Sequence, residues 1–132
     1  MDAGSYKGAT TSGNFVFFDV LPDRRVKGWR VNDVRRPCDQ PGFYIYGPID
    51  VGTYAAPVDR DGRFPIEWSY DTSIVWDENG DETPAKAHNR IAGYVQGSSA
   101  AGTVLSTFEF DRDGRHFRCS NGDESWTASR LP

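Results

Sequence analysis

The 132-residue sequence predicts an all-β fold, an antiparallel β-sandwich of jelly-roll type with an up-and-down β-barrel as the rival closure. Three observations carry this. Apolar residues recur at period 2 along much of the chain, while the 3.6-residue spacing of an amphipathic helix is almost absent. Aromatic residues make up 14% of the chain and leucine occurs three times, so the core has to be built from rings and β-branched side chains, which suit a pleated surface. The chain also holds 14 glycines and 8 prolines, which punctuate it with turns.

In order, the pattern places strands at Gly4 to Ala9, Asn14 to Leu21 and Arg24 to Val31. The segment Pro37 to Pro57 holds four prolines and three glycines among aromatic residues, so it reads as irregular or as edge strands, with a short strand at Gly42 to Tyr46. Phe64, Ile66, Trp68 and Tyr70 share one face of the next strand, and a short one follows at Ser73 to Trp76. Further strands fall at Arg90 to Gln96, around Val104, Ser106, Phe108 and Phe110, around Phe117 and Cys119, and at Ser125 to Arg130. Asp61-Gly62 and Asp113-Gly114 stand directly before strand starts and suit type I′ hairpins, whose two central residues need positive φ. Asn79-Gly80 falls in the most polar stretch, Asp77 to Pro84, which reads as a longer surface loop, and Asn121-Gly122 connects the last two strands. The length fits one domain spanning residues 1–132.

Charge narrows the function classes. With 15 basic and 19 acidic residues the net charge is −4, so no broad positive field exists to attract a nucleic acid. The basic doublets Arg24-Arg25 and Arg35-Arg36 read as solvated strand ends, against a sharper reading as an anion-binding patch. No apolar run approaches the ~18 residues of a membrane span, so membrane insertion is not expected. Met1-Asp2-Ala3-Gly4 lacks the character of a signal peptide, so either the protein stays inside or an export signal has been removed.

Cys38 and Cys119 belong to no CxxC pair, which argues against zinc and thioredoxin-like redox chemistry. One long-range disulfide is the better reading; two buried free thiols in a reducing compartment are the alternative.

Candidate chemistry is sparse. Asp59-Arg60-Asp61-Gly62 and Asp111-Arg112-Asp113-Gly114 lack the ligand series of an EF-hand and read as turns. The denser acidic loop around Asp77, Asp81 and Glu82 is the better calcium candidate, against the bland reading as a solvated loop; no other cofactor is expected. His88 and His116 have no serine or cysteine in a recognisable nucleophile context and read as strand-face residues. Glu67 and Glu109 sit mid-strand on the face opposite the apolar residues and form the one conceivable acid/base pair for a glycoside hydrolase, although ordinary alternation explains both. Aromatics give the best functional hint: Trp68, Tyr70 and Trp76 are clustered, and Tyr44, Tyr46 and Tyr54 fall in the proline-rich segment. Flat amphipathic rings suit sugars and protein interfaces, and in a leucine-poor chain they also suit a core.

Gly4-Ser5-Tyr6-Lys7-Gly8-Ala9-Thr10, Gly62-Arg63-Phe64, Ile91-Ala92-Gly93-Tyr94-Val95, Ala101-Gly102-Thr103 and Cys119 ahead of Ser125-Trp126-Thr127-Ala128 together resemble a group of small exported bacterial β-domains, frequent in actinobacteria. That group opens G-x-Y-x-G-x-T and closes C-x(n)-G-x-x-S-W-T-A. The resemblance implies a sandwich-like fold, secretion or display at the cell surface, and a Cys38–Cys119 bridge; it brings no catalytic residues. The resulting expectation is a non-catalytic recognition module that binds a glycan or a protein surface through Tyr44, Tyr46, Tyr54 and Trp76. A barrel holding a small apolar ligand and a hydrolase using Glu67 or Glu109 are the alternatives.

Overall fold

The computed structural model describes residues 1–76 and 79–132. Its ten strands are β1 (Gly4–Thr10), β2 (Phe15–Leu21), β3 (Arg25–Pro37), β4 (Tyr44–Asp50), β5 (Ala55–Pro57), β6 (Arg63–Val75), β7 (Glu82–Gln96), β8 (Ser99–Arg112), β9 (Arg115–Ser120) and β10 (Glu124–Arg130). They form one antiparallel sheet in the order β4-β3-β2-β1-β10-β8-β7-β6, with β5 added beside β3 and β9 beside β8. The sheet curls into a half-barrel, and the fold is all-β as the alternation predicts.

Two sequential meanders account for most of the order, β1 to β4 and β6 to β8, and β10 joins them by pairing β1 on one side and β8 on the other. The end strands β4 and β6 each have one edge that no strand covers among the described residues. The proline-rich segment thus supplies an edge, where a residue without an N–H such as Pro48 is tolerated.

The strands are longer than the sequence pattern suggests. Phe64 to Tyr70 and Ser73 to Trp76, read as two strands, belong to one, β6, which ends at Val75. β7 starts at Glu82 rather than near Arg90, because its first inward residues are Thr83, Ala85, Ala87 and Asn89, whose burial alternates without a hydrophobic signature. The turn chemistry holds at Asp113-Gly114, where φ is 53° and 74° as a type I′ turn requires. At Asp61-Gly62 it differs, since only Gly62 of the pair has positive φ. There the Asp59 carboxylate accepts hydrogen bonds from the N–H groups of Asp61 and Arg63, each at 2.9 Å, and those bonds organise the turn.

The inner face is filled in two parts. The larger cluster gathers Tyr6, Phe18, Trp29, Phe64, Ile91 and Trp126 from strands on both sides of β10. Phe18 stacks on Tyr6 at 5.1 Å, and Trp126 meets Phe18 and Trp29 edge-on at 5.7 and 5.8 Å. The smaller cluster, at the other end, holds Ala85, Ala87, Phe108, Phe110, Phe117 and Cys119. Cys38, just beyond β3, is disulfide-bonded to Cys119 in β9, which ties the two meanders together a second time.

Candidate functional site

The uncovered edges of β4 and β6 face one another along a seam, and three grooves follow it. The first, about 410 Å³, is lined on the β4 side by Tyr44, Ile45 and Tyr46 and on the β6 side by Thr72 to Val75 and Trp76. The middle one, about 470 Å³, is lined by Pro48, Ile49 and Asp50, the rings of Trp68 and Tyr70, and Asn89. The third, about 380 Å³, is bounded by Asp50, Val51, Tyr54, Ile66, Glu67 and Trp68.

All four aromatic residues singled out from the sequence therefore lie along one seam. Tyr44, Tyr46 and Tyr54 are exposed, Tyr46 most of all at 60%. Tyr44 and Tyr46 are exposed for a local reason: β4 points Ile45, Gly47 and Ile49 inward, so its tyrosines stand on the outer side, while Tyr54 lies in the turn before β5. Arg35 on β3 lies over the Tyr44 ring at 4.2 Å, and Tyr44 is 6.2 Å from Tyr46, so the pair forms a supported platform. Trp76 differs. It stacks on Phe43 at 5.4 Å, meets Phe117 and Phe110 edge-on and carries Arg112 over its face, so it caps the smaller cluster and offers one edge to the groove. The alternation in the sequence puts Trp68 and Tyr70 on the strand face shared with Phe64 and Ile66, open to a role in the core or at a site. At the seam that face meets no opposing strand, which leaves Trp68 half-buried and Tyr70 exposed at 43%.

The carboxylates and histidines lie on the outer face of β6 to β9. No described groove is lined by both Glu67 and Glu109, so the structure does not bring that pair together. Each glutamate instead faces a histidine, Glu67 to His88 at 3.9 Å and Glu109 to His116 at 4.0 Å, and Arg118 lies 3.3 Å from Glu109. His88 Nδ1 also shares a 2.8 Å hydrogen bond with Ser69. Sequence reasoning missed this serine–histidine contact because it arises from the β6–β7 register, which sets Ser69 opposite His88. These groups are all solvent-exposed, where water competes with every contact. A hydrogen bond to Asp111 at 2.8 Å raises the His116 pKa above its ordinary value, with Asp111, Glu109 and Asp39 adding electrostatic support.

The calcium candidate falls partly outside view, since Asp77 lies outside the described residues. Asp81 pairs with Arg112, and Glu82 opens β7 opposite Val75. Among the described residues no group of three or more His, Cys, Asp or Glu side chains is placed to hold a metal ion, and no helix is long and apolar enough to cross a membrane.

One further buried polar group lies on the inner side of the half-barrel: Arg36, Ser106 and Asn89, at 2%, 0% and 3% exposure. The doublet read as a solvated strand end is thus split. Arg35 faces out, whereas Arg36 shares the inward parity of Val34 and is buried over the Phe108 ring at 4.8 Å. That parity is the signal in the sequence that would have placed it.

Compared with protein-family models, curated proteins and solved structures, the chain matches none.

Proposed function

We propose that this protein is a non-catalytic recognition module that takes a glycan chain along the β4–β6 seam. The observation that carries this reading is the set of rings, Tyr44, Tyr46, Tyr54, Trp68 and Tyr70, bordering three grooves between two uncovered strand edges. A sugar ring presents an apolar face to such a ring and hydroxyls to polar atoms beside it, so spaced rings along a groove suit successive sugar units. The curled sheet reads as a barrel left open at that seam, which gives access from the side instead of enclosing a cavity. The Cys38–Cys119 bond supports an oxidising compartment, and with the resemblance to exported bacterial β-domains it favours display outside the cell.

A glycan array followed by tryptophan-fluorescence titration tests the proposal. Y46A and Y54A remove exposed rings without touching the core, and each is expected to weaken binding by about tenfold, in line with the ~1.4 kcal/mol that one ring contact contributes. An array with no hits, or variants that bind as well as the parent, would sink it. A second reading rests on the bare backbone edges: an extended peptide adding as a strand to β4 or β6. Selection from a displayed peptide library, with the glycan array silent, would favour that reading.

A further inference from the structure

The Arg36–Ser106–Asn89 layer is unlike the rest of the interior. Arg36 donates from Nε to Ser106 Oγ at 2.6 Å and from Nη1 to the Val34 carbonyl at 3.4 Å. No described carboxylate comes within 4.0 Å of it, although a guanidinium carries five N–H donors. Burial lowers its pKa to about 10, with Tyr70 and Asp33 partly offsetting the effect, so it stays charged at neutral pH. A buried charge with no carboxylate partner is a poor stabilising device and a good receptor for a counter-charge.

The second observation is independent. Asn89 is 3% exposed, its Oδ1 has no hydrogen-bond partner, and it is the member of the layer that lines the middle groove. Asn89 and Ser106 are directly opposed on β7 and β8, so the guanidinium, the hydroxyl and the orphaned amide oxygen follow one another across the sheet. Over the guanidinium lies Gly47 of β4, where a Cβ would stand 3.8 Å from Nη1. Gly47 is flanked by Tyr46, which lines the first groove, and Pro48, which lines the middle one.

We propose that this layer is a binding site for the carboxylate and a neighbouring hydroxyl of an acidic sugar unit, so that the seam selects a uronate-type glycan. This deepens the glycan reading of the seam and rests on it. The carboxylate accepts hydrogen bonds from Arg36, an adjacent sugar hydroxyl donates to Asn89 Oδ1, and Trp68 and Tyr70 flank the ring. Arg36 offers a single positive charge, while Asp50 and Glu67 stand along the groove mouths, which disfavours a densely charged polyanion and suits one carboxylate per subsite.

Three oligosaccharides of equal length, one neutral, one with uronate units and one sulfated, are titrated against the parent and R36M by tryptophan fluorescence. Glucuronate monosaccharide is titrated separately while the Arg36 Nε–H signal is followed by NMR. The uronate chain is expected to bind the parent about tenfold more tightly than the neutral one, and R36M to narrow the ratio to about twofold. Replacing an unpaired buried charge by an apolar side chain of similar length is expected to leave the melting temperature of R36M unchanged or raised. Equal binding of neutral and uronate chains overturns the inference and leaves the glycan reading standing, and equal binding of sulfated chains overturns the choice of carboxylate. Glucuronate that shifts Arg36 while no oligosaccharide binds keeps the site and removes the glycan-chain reading of the seam. An Arg36 signal unmoved by every probe shows a layer satisfied by water and overturns the proposal without recourse to the variant.

Discussion

Single residues decide how closely the strands of this sheet approach. Gly8 in β1 has ordinary extended backbone, yet a Cβ there would collide with the Thr127 carbonyl oxygen of β10. Gly114 has the opposite requirement: its φ of 74° needs a residue that tolerates the left-handed region, and the space around its Cβ is open. G8A is therefore expected to lose about 1–3 kcal/mol by overpacking. G114N stays within about 0.5 kcal/mol of the parent, because asparagine visits that region readily. Urea denaturation of both variants checks the contrast, which would vanish if glycine mattered in each place for flexibility alone. His116 supplies a pH test. Its folded pKa is raised by the hydrogen bond to Asp111, so whatever stabilisation the contact gives is fully present below the unfolded value near 6.5 and is lost as pH rises through the folded one. An NMR titration should find His116 above that ordinary value in the parent and nearer to it in D111N. Arg36 shows the limit of reading at this scale: the doublet looks like a solvated pair, and only the parity of the strand, running from Val34 through Arg36, puts one guanidinium inside.

At the scale of elements, the alternation was legible wherever the inward residues were large. β2 and β10 fall close to their expected bounds because Val16, Phe18 and Val20, or Trp126 and Ala128, mark the buried face. β7 was half hidden because its inward positions from Thr83 to Asn89 are small or polar: Ala85 and Ala87 are the small members of the lesser apolar cluster, and Asn89 belongs to the polar layer. The same cause hid the continuity of β6, because the junction between the two stretches read separately is Asp71-Thr72, whose inward residue, Thr72, is small, polar and only half-buried. The candidate site was legible residue by residue, since Tyr44, Tyr46 and Tyr54 stand out as aromatics in a proline-rich context and Trp76 as part of a cluster with Trp68 and Tyr70. Their convergence was not, because it depends on β4 and β6 being the two ends of one sheet. The disulfide acts between elements, joining the end of β3 to β9 across a sequence separation of 81. By chain entropy such a link contributes about 4 kcal/mol, so reduction is expected to lower stability by about 2–5 kcal/mol while the strand pairing persists. Denaturation curves with and without reductant measure this, and an unchanged midpoint would show that the aromatic contacts between Phe43, Trp76, Phe110 and Phe117 hold that end unaided.

For the whole molecule, the decisive feature is that the sheet's two meanders meet through β10. Residues 4–50 form one run of neighbouring strands and residues 63–120 another, and the ladder between them exists only once residues 124–130 lie between β1 and β8. Trp126 makes that junction cohesive: it packs on Phe18 and Trp29 from the first meander and Phe64 from the second, and its Nε1 donates to the Thr103 carbonyl at 3.2 Å. Neither meander buries its inner face without the other, so the two are expected to unfold together. W126A should lower stability by about 3–5 kcal/mol, as deletion of a fully buried ring does, and the transition should remain single. Far-UV circular dichroism reports the whole sheet, and amide exchange can be read separately in β2 and in β7. Coincident loss of all three in W126A is the expected result. A variant in which β7 stays protected while β2 exchanges freely would mean that the meanders are independent units and that β10 merely tethers them. The same topology sets the rate of folding, because the β1–β10 ladder joins opposite ends of the chain and its loop-closure entropy is opposed before any contact rewards it. Refolding of the parent is therefore expected on the slow side for its size, in about milliseconds to seconds, and W126A should slow it further if the junction forms in the rate-limiting step.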